Sequence, residues 1–444
     1  MEGRGPKWIE VKNESTINSE WSHHNNPIPG YGWSVLDDFH NIMADTIKAH
    51  DPELLVGGPT AAWMAMDASN FQQGQYNLDF ITDTADHLDF YSYHFYESKD
   101  LILHDTHSNY GGYLTGRLEA DLDLLRNHMI LEDALKPLII SETGTLHSGE
   151  GDPDYWIIVK NYNAYLVRYM NRANEFDQVV PFVLPAIWWD KEAPEGLWAY
   201  DENGRLISTA EEGLTPIKYF LETWDEYEGD LLPAESNDVN NNIFVHSAQD
   251  GNVIYVAVTN MNPQRATIDL NLILDGQEIQ KIERTSTFLD MGELHFLDNE
   301  PMESLEDIFM HVEETSIFKI TLDSEPNITD TITRNTYYGD KILQDTGTPA
   351  EFTIAMSDEN EVQSSVLRVS LGRQNGFQVP LNVKVNGYSF EQHDMSFSNK
   401  SDRFFSYVDF NIPVNILEEN NEIVVNVDQT GGKISTVALI NMEN

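Results

Sequence analysis

The chain has 444 residues and a formal net charge of −48, with 26 lysines and arginines against 74 aspartates and glutamates. So acidic a surface repels nucleic acid and anionic lipid, because binding phosphate requires cations that displace counterions. There is no cysteine, which excludes disulfides, thiolate zinc sites and cysteine nucleophiles, and no run reaches the ~20 apolar residues of a membrane-spanning helix.

In chain order, short apolar runs first alternate with amphipathic helices, the pattern of βα units on a parallel sheet. The strand candidates are Lys7–Glu14, Glu53–Thr60, Leu88–Tyr96, Lys136–Thr145 and Val179–Trp189. Between them lie three helical stripes: Leu36, Phe39, Met43 and Ile47; Leu118, Leu122, Leu125 and Met129; and Ile158, Tyr162, Tyr165 and Tyr169. Spacings of three and four place each set on one face, suited to packing outside the sheet. A last helix opens at Thr215-Pro216, a capping residue followed by proline, and turns Ile217, Phe220, Leu221 and Trp224 inward.

After Gly229-Asp230 the texture becomes all-β. Asn242–His246, Val253–Thr259, Thr267–Leu274 and Ser316–Leu322 are short strands separated by turn signals. A second block follows Pro326-Asn327, with Glu351–Met356, Ser365–Leu371, Val379–Val385, Phe404–Ile412 and Glu422–Asp428. The expected fold class is therefore α/β plus all-β. The expected domains are a βα region over 1–228 and two β-sandwiches over 229–326 and 327–444.

Two strands end in a carboxylate with suggestive neighbours. Trp8-Ile9-Glu10-Val11-Lys12-Asn13-Glu14 leads apolar residues into an Asn-Glu pair, and Pro137-Leu138-Ile139-Ile140-Ser141-Glu142-Thr143-Gly144 leads a fully apolar run into a lone carboxylate followed by small residues. Strand ends are where a βα barrel builds its site, and two carboxylates are what glycoside cleavage needs. Simple alternation gives Glu10, Lys12 and Glu14 one face, with Glu10 and Lys12 expected as an internal ion pair. His23 and His24 are adjacent on an extended loop, so they point apart and do not form a zinc pair. His23 is retained as a sugar contact, with a solvated loop as the plainer alternative. Trp63, Tyr76, His107 and Tyr110 lie on loops after strands, where aromatics can stack on sugar rings or merely cover the core. No metal and no cofactor is expected; Asp358-Glu359-Asn360-Glu361 offers oxygen ligands for calcium, a signal with little force in so acidic a chain.

The order of these features resembles the large clan of retaining glycosidases with eight-stranded barrels. In that clan the acid/base follows an Asn at the end of strand four, the nucleophile ends strand seven and an aromatic platform ends strand eight. Numbered four to eight, the five strand candidates match, giving a partial (β/α)8 TIM barrel followed by two sandwiches. More narrowly, Trp8 to Glu14, Ile140-Ser141-Glu142-Thr143-Gly144-Thr145 and Ala186-Ile187-Trp188-Trp189-Asp190 resemble glycoside hydrolase family 86, the β-agarases and β-porphyranases. The resemblance implies Glu14 as acid/base, Glu142 as nucleophile and Trp188 or Trp189 as the platform. It places Asn13, His94 and Tyr96 around them, with His94 and Tyr96 contacting the nucleophile. The implied partner is a red-algal galactan, agarose or porphyran, cut internally at β-1,4 linkages by an enzyme that is secreted, periplasmic or on the cell surface, although no signal peptide is visible. Arg117, Lys99 and Lys191 are among the few cations available to a sulfate. Strands one to three are absent, so the chain alone is expected to be inactive or feeble unless a separate half barrel joins it. Another clan glycosidase, of xylosidase or galactosidase type, and a non-catalytic polysaccharide-binding remnant are the alternatives.

Overall fold

The computed structural model describes residues 6–97, 112–147, 149, 151–182, 185–187, 191, 196–207, 209–238, 242–274, 276–326, 332–357, 361–395, 398 and 403–444. Five parallel strands open the chain: β1 (Trp8–Glu10), β2 (Leu55–Ala61), β3 (Phe90–Tyr96), β4 (Leu138–Gly144) and β5 (Phe176–Pro181), side by side in that order. The sheet is a half barrel. Helices α1 (Tyr31–His50), α2 (Ala68–Thr84), α3 (Arg117–Leu131) and α4 (Asp152–Met170) connect its strands. Every residue of β3 is buried, as expected of a parallel strand covered on both faces. Gly57 on β2 permits that packing: a Cβ there would meet the Phe90 ring at 2.4 Å.

Two strands end earlier than their sequence suggests. β1 stops at Glu10, and the chain turns so that Glu14 takes a left-handed φ of 45°. The assumed alternation through Lys12 to Glu14 therefore does not exist. Lys12 reaches Glu20 at 3.5 Å instead of pairing with Glu10. β5 stops at Pro181, and Trp188, Trp189 and Asp190 lie outside the described residues.

Helix faces also differ in detail. On α1 the deep face is Trp33, Leu36, His40 and Ala44, so of the expected stripe only Leu36 is fully buried. The whole expected stripes of α3 and α4 are buried. In the final helix, Lys218–Trp224, Leu221 faces solvent and Thr223 turns inward to bond Thr287 at 2.7 Å.

The β region contains strands longer than their apolar runs. An antiparallel sheet is built from β6 (Asp230–Leu232), β7 (Ile243–Asp250), β8 (Val253–Asn260), β10 (Ile279–Asp290), β11 (Glu293–Met302) and β13 (Thr315–Leu322), in the order β11-β10-β13-β8-β7-β6. Its apolar face is covered by a two-stranded ribbon of β9 (Ala266–Ile268) and β12 (Ile308–Met310) and by Leu270, Leu272 and Leu274. The second sandwich packs β14 (Thr333–Tyr338), β15 (Gln344–Asp345), β17 (Val362–Gln374), β20 (Arg403–Asn411) and β22 (Gly432–Glu443) against β16 (Ala350–Ala355), β18 (Leu381–Val385), β19 (Tyr388–Ser389) and β21 (Asn420–Val427).

Both sandwiches sit on the helices of the half barrel. Lys160 of α4 pairs with Glu313 at 2.6 Å, and Asp152 accepts from the Leu294 amide at 3.0 Å. On α3, Asp123 accepts from the Tyr338 hydroxyl at 3.0 Å and pairs with Arg172 at 2.8 Å. No helix among the described residues is long and apolar enough to cross a membrane.

Candidate active site

Side-chain period and strand register bring the site together. His94 and Tyr96 are two apart on β3 and share a face. The β3–β4 register shifts after Tyr93, so that His94 lies opposite Glu142 and Tyr96 opposite Gly144. The turn after β1 returns Glu14 over the same strand ends, with Ser15 pinned to the Pro59 carbonyl at 2.5 Å.

His94 Nδ1 is 3.3 Å from Glu14 Oε1 and 3.3 Å from Glu142 Oε2. The Tyr96 hydroxyl donates to the same Glu142 Oε2. One oxygen of each carboxylate and a ring nitrogen of His94 all lie within 4.8 Å of one another. His94 is 1% exposed, Glu142 17% and Glu14 24%, counted on side chains. The carboxylates therefore open to solvent over a buried imidazole.

Burial, first of all, lifts the Glu142 carboxyl above its ordinary range; His94 and the Tyr96 hydrogen bond pull it down, and the charges of Glu14 and Glu10 push it up again. Burial is the largest of these effects because the Glu142 side chain is only 17% exposed. Tyr96 is pushed far above the usual phenol range by burial and then by the Glu142 charge, which keeps it a proton donor to that carboxylate.

Among the described residues, Glu14, His94 and Glu142 are the group that could hold a metal ion. The Tyr96 donor already occupies the Glu142 oxygen that faces this group.

Other expected site residues divide. Trp63 is beside the site: its ring lies 6.4 Å from that of Tyr96, it is 40% exposed, and its φ is +54°. Asn13 precedes Glu14 and is exposed. His23 lies in a 3-10 turn with its ring against those of Trp21 and Tyr31. Its neighbour His24 bonds the Ser15 carbonyl at 3.0 Å and so tethers the turn that carries Glu14. Tyr76 belongs to α2 and stacks on Trp33 at 6.1 Å. Arg117 is fully buried and cannot meet a sulfate; Lys191 donates to the Gly204 carbonyl at 2.7 Å. His107, Tyr110, Lys99 and residues 358–360 lie outside the described residues.

One residue near the site escaped sequence reasoning. Glu97 follows Tyr96 and accepts from the amides of Gly112 at 2.8 Å and Leu114 at 2.6 Å, closing the connection between β3 and α3. An acidic residue directly after an aromatic-rich strand was the available signal.

Residues 242–344 match the family described as porphyranase beta-sandwich domain 1, and residues 351–441 match beta porphyranase A C-terminal. A funoran endo-beta-hydrolase from Wenyingzhuangia aestuarii is 26% identical over 98% of this chain. These matches agree with the resemblance to glycoside hydrolase family 86. Beta-porphyranase A from Phocaeicola plebeius is 23% identical over 87% of this chain. The chain spans 60% and 55% of the lengths of these two relatives. Its fold is shared with BpGH86A, a β-porphyranase of family 86 from Bacteroides plebeius, at a TM-score of 0.81 and 21% identity, covering 99% of this chain and 79% of that one. BuGH86, solved in complex with neoagarooctaose, superposes with a TM-score of 0.82 at 22% identity, covering 98% of this chain and 71% of that one.

Proposed function

We propose that this chain carries the catalytic carboxylates of an endo-acting, retaining hydrolase of β-1,4 linkages in a red-algal galactan. The observation that carries the proposal is the convergence of Glu14, His94 and Glu142 within 4.8 Å. Retaining enzymes hold their carboxyls about 5 to 5.5 Å apart, whereas inverting ones leave about 6.5 to 9.5 Å for a water. The relatives named above act on funoran and porphyran by their names, which supports the galactan class.

Glu142 is the nucleophile. Tyr96 and His94 hold its Oε2, leaving Oε1 to bond the anomeric carbon as the bond to the leaving oxygen breaks. Glu14 gives its proton to that oxygen, then takes one from the water that hydrolyses the glycosyl-enzyme. Trp63 offers a sugar-stacking face near the cleavage point, with Trp188 or Trp189 as the platform and Asn13 and His23 as further sugar contacts. In this reading the five strands are strands four to eight of a (β/α)8 barrel. The catalytic part runs over 1–228 and the sandwiches over 229–326 and 327–444. The enzyme works outside the cytoplasm, where such polysaccharides are met.

The test incubates agarose, porphyran and funoran with the chain as it stands and with the chain fused behind βα units that complete the barrel. A ladder of even-numbered oligosaccharides that keep the anomeric configuration, formed by the fusion and abolished by Glu142→Gln, is expected. Products of inverted configuration, or a ladder that survives Glu142→Gln, would refute the assignment.

A further inference from the structure

A second cavity, of about 320 Å³, opens where the helix Lys218–Trp224 meets the sheet of the first sandwich, and it shares no residue with the carboxylate site. Strands β8, β10, β11 and β13 supply one wall and the helix the other. Its shape begins with a register irregularity: the β10–β11 pairing slips between Arg284 and Ser286, and Asn299 takes a φ of +48° with its amide on Thr285 Oγ1 at 3.2 Å. Such a bulge re-aims the neighbouring side chains. Here it sets Asp298 at the cavity, fastened by Asn299 Nδ2 at 3.0 Å.

Three features of the lining describe a ligand. Tyr255 is 4% exposed and lines the cavity, yet its hydroxyl makes no hydrogen bond to any described residue. The hydroxyl opens onto the cavity and is not sealed in the protein, so a hydroxyl-bearing group that enters can exchange for water there and complete it. The Phe296 ring at the wall is held rigid by stacking on Tyr219, 4.9 Å away and 15° from parallel, so it presents a fixed apolar face. Glu222 and Asp298 add carboxylate acceptors, while the cavity's cation, Lys319, is engaged by Glu226 at 2.5 Å. An anionic ligand therefore finds no disengaged cation among the described lining residues. The carboxylates also do not converge as metal ligands would, since the described group that does so is Glu14, His94 and Glu142.

We infer that this cavity is an ancillary carbohydrate site that takes one or two neutral, hydroxyl-rich units of a polysaccharide chain. Hydroxyl groups complete Tyr255 and donate to Asp298 and Glu222, and the C–H face of the sugar lies on Phe296. That the chain is a galactan rests on the function proposed above; the binding of a neutral sugar does not. The site would hold a long substrate on the molecule while a different stretch of it passes the carboxylates.

Native electrophoresis of the 444-residue chain through gels containing dissolved agarose, porphyran or no polysaccharide tests the inference. Retardation by agarose is expected, with the apparent affinity weakened about fivefold by Tyr255→Phe, the loss of one neutral hydrogen bond. A similar weakening is expected from Asp298→Ala. Tyr255→Phe breaks no contact within the fold, so its thermal midpoint should match the parent's. If both variants migrate as the parent does in agarose while Trp63→Ala is released, the binding lies at the carboxylate site and the inference fails. It fails equally if the parent is not retarded, or if retardation vanishes with a chelator and returns with calcium. Retardation that depends on Tyr255, without hydrolysis by the completed barrel, would sink the catalytic reading alone; hydrolysis without it would sink this inference alone.

Discussion

Tyr96→Phe removes one oxygen from a ring that is 6% exposed and leaves its packing against His94 and Phe182 in place. What is lost is the hydrogen bond to Glu142 Oε2. A hydrogen bond to a charged group contributes about 1.5 to 3 kcal/mol, and about 1.4 kcal/mol is a factor of ten. With Glu142 less firmly aimed, kcat/KM on a soluble galactan oligosaccharide should fall roughly 10- to 100-fold. The loss should also depend on pH. Tyr96 is one of the two groups that hold the Glu142 carboxyl down against burial, so removing it raises that carboxyl further. Activity that requires ionised Glu142 disappears as pH falls through its pKa; in the variant it should disappear at a higher pH. The assay is a pH profile of kcat/KM for parent and variant, both with a completed barrel. An acid limb that stays in place, or a loss equal at every pH, would show that Tyr96 is only packing.

Glu142→Gln should abolish turnover, by on the order of 10⁴-fold or more, and should make the fold more resistant to urea at neutral pH. The sign follows from linkage: a carboxyl raised in the folded state binds its proton more tightly there, so its contribution is present in acid and declines as pH rises through the folded pKa. The gain should shrink to nothing at a pH below the ordinary carboxylate range, and a constant difference would contradict it. Trp63→Ala should raise KM about tenfold with kcat little changed, the signature of lost stacking rather than lost chemistry; a fall in kcat alone would place the ring elsewhere. Lys160→Met leaves Glu313 without its cation in a pair 2% exposed on both sides, which costs about 3 to 5 kcal/mol. Urea unfolding should recover most of that in Lys160→Met/Glu313→Gln, and a single-variant loss under ~1 kcal/mol would mean the pair does not hold the first sandwich to α4.

The parallel strands were legible because β2 and β3 are buried on both faces and β4 opens on the apolar run Leu138-Ile139-Ile140, so their apolar residues are dense. The termini of β1 and β5 were not. Val11 still donates to Gly57 at 3.1 Å beyond the end of β1, and Lys12, Asn13 and Glu14, which follow, belong to the turn. Nothing local marks Glu14 as left-handed, since a glutamate rarely adopts that conformation; its φ of +45° is imposed by Ser15 and His24 holding the turn from outside. Strain of this kind concentrates where side chains must be aimed. The pairing of His94 with both carboxylates was half visible: period two gave His94 and Tyr96 one face, but the register shift that sets His94 against Glu142 is a property of two strands together.

The least legible part explains what the sandwiches contribute to the site. Periodicity on α3 and α4 identifies the stripe that meets the sheet, but Arg117, Asp121, Asp123, Lys160 and Arg168 on the same helices are also buried. Charged residues are seldom so enclosed unless partnered, and several of these partners are supplied by the β region, as in Lys160–Glu313 and Asp123–Arg368. α4 is then gripped on both sides. On the barrel side its Tyr169 hydroxyl bonds Thr143, the residue after Glu142, at 3.0 Å, and its Tyr162 hydroxyl donates to the Phe182 carbonyl beyond β5 at 2.6 Å. A helix free to shift would carry Thr143, and with it Glu142, out of register with His94. By fixing α4 through the buried Lys160–Glu313 pair, the first sandwich sets the strand that carries Glu142, so loosening that pair should disturb the carboxylate geometry as well as the stability of the fold.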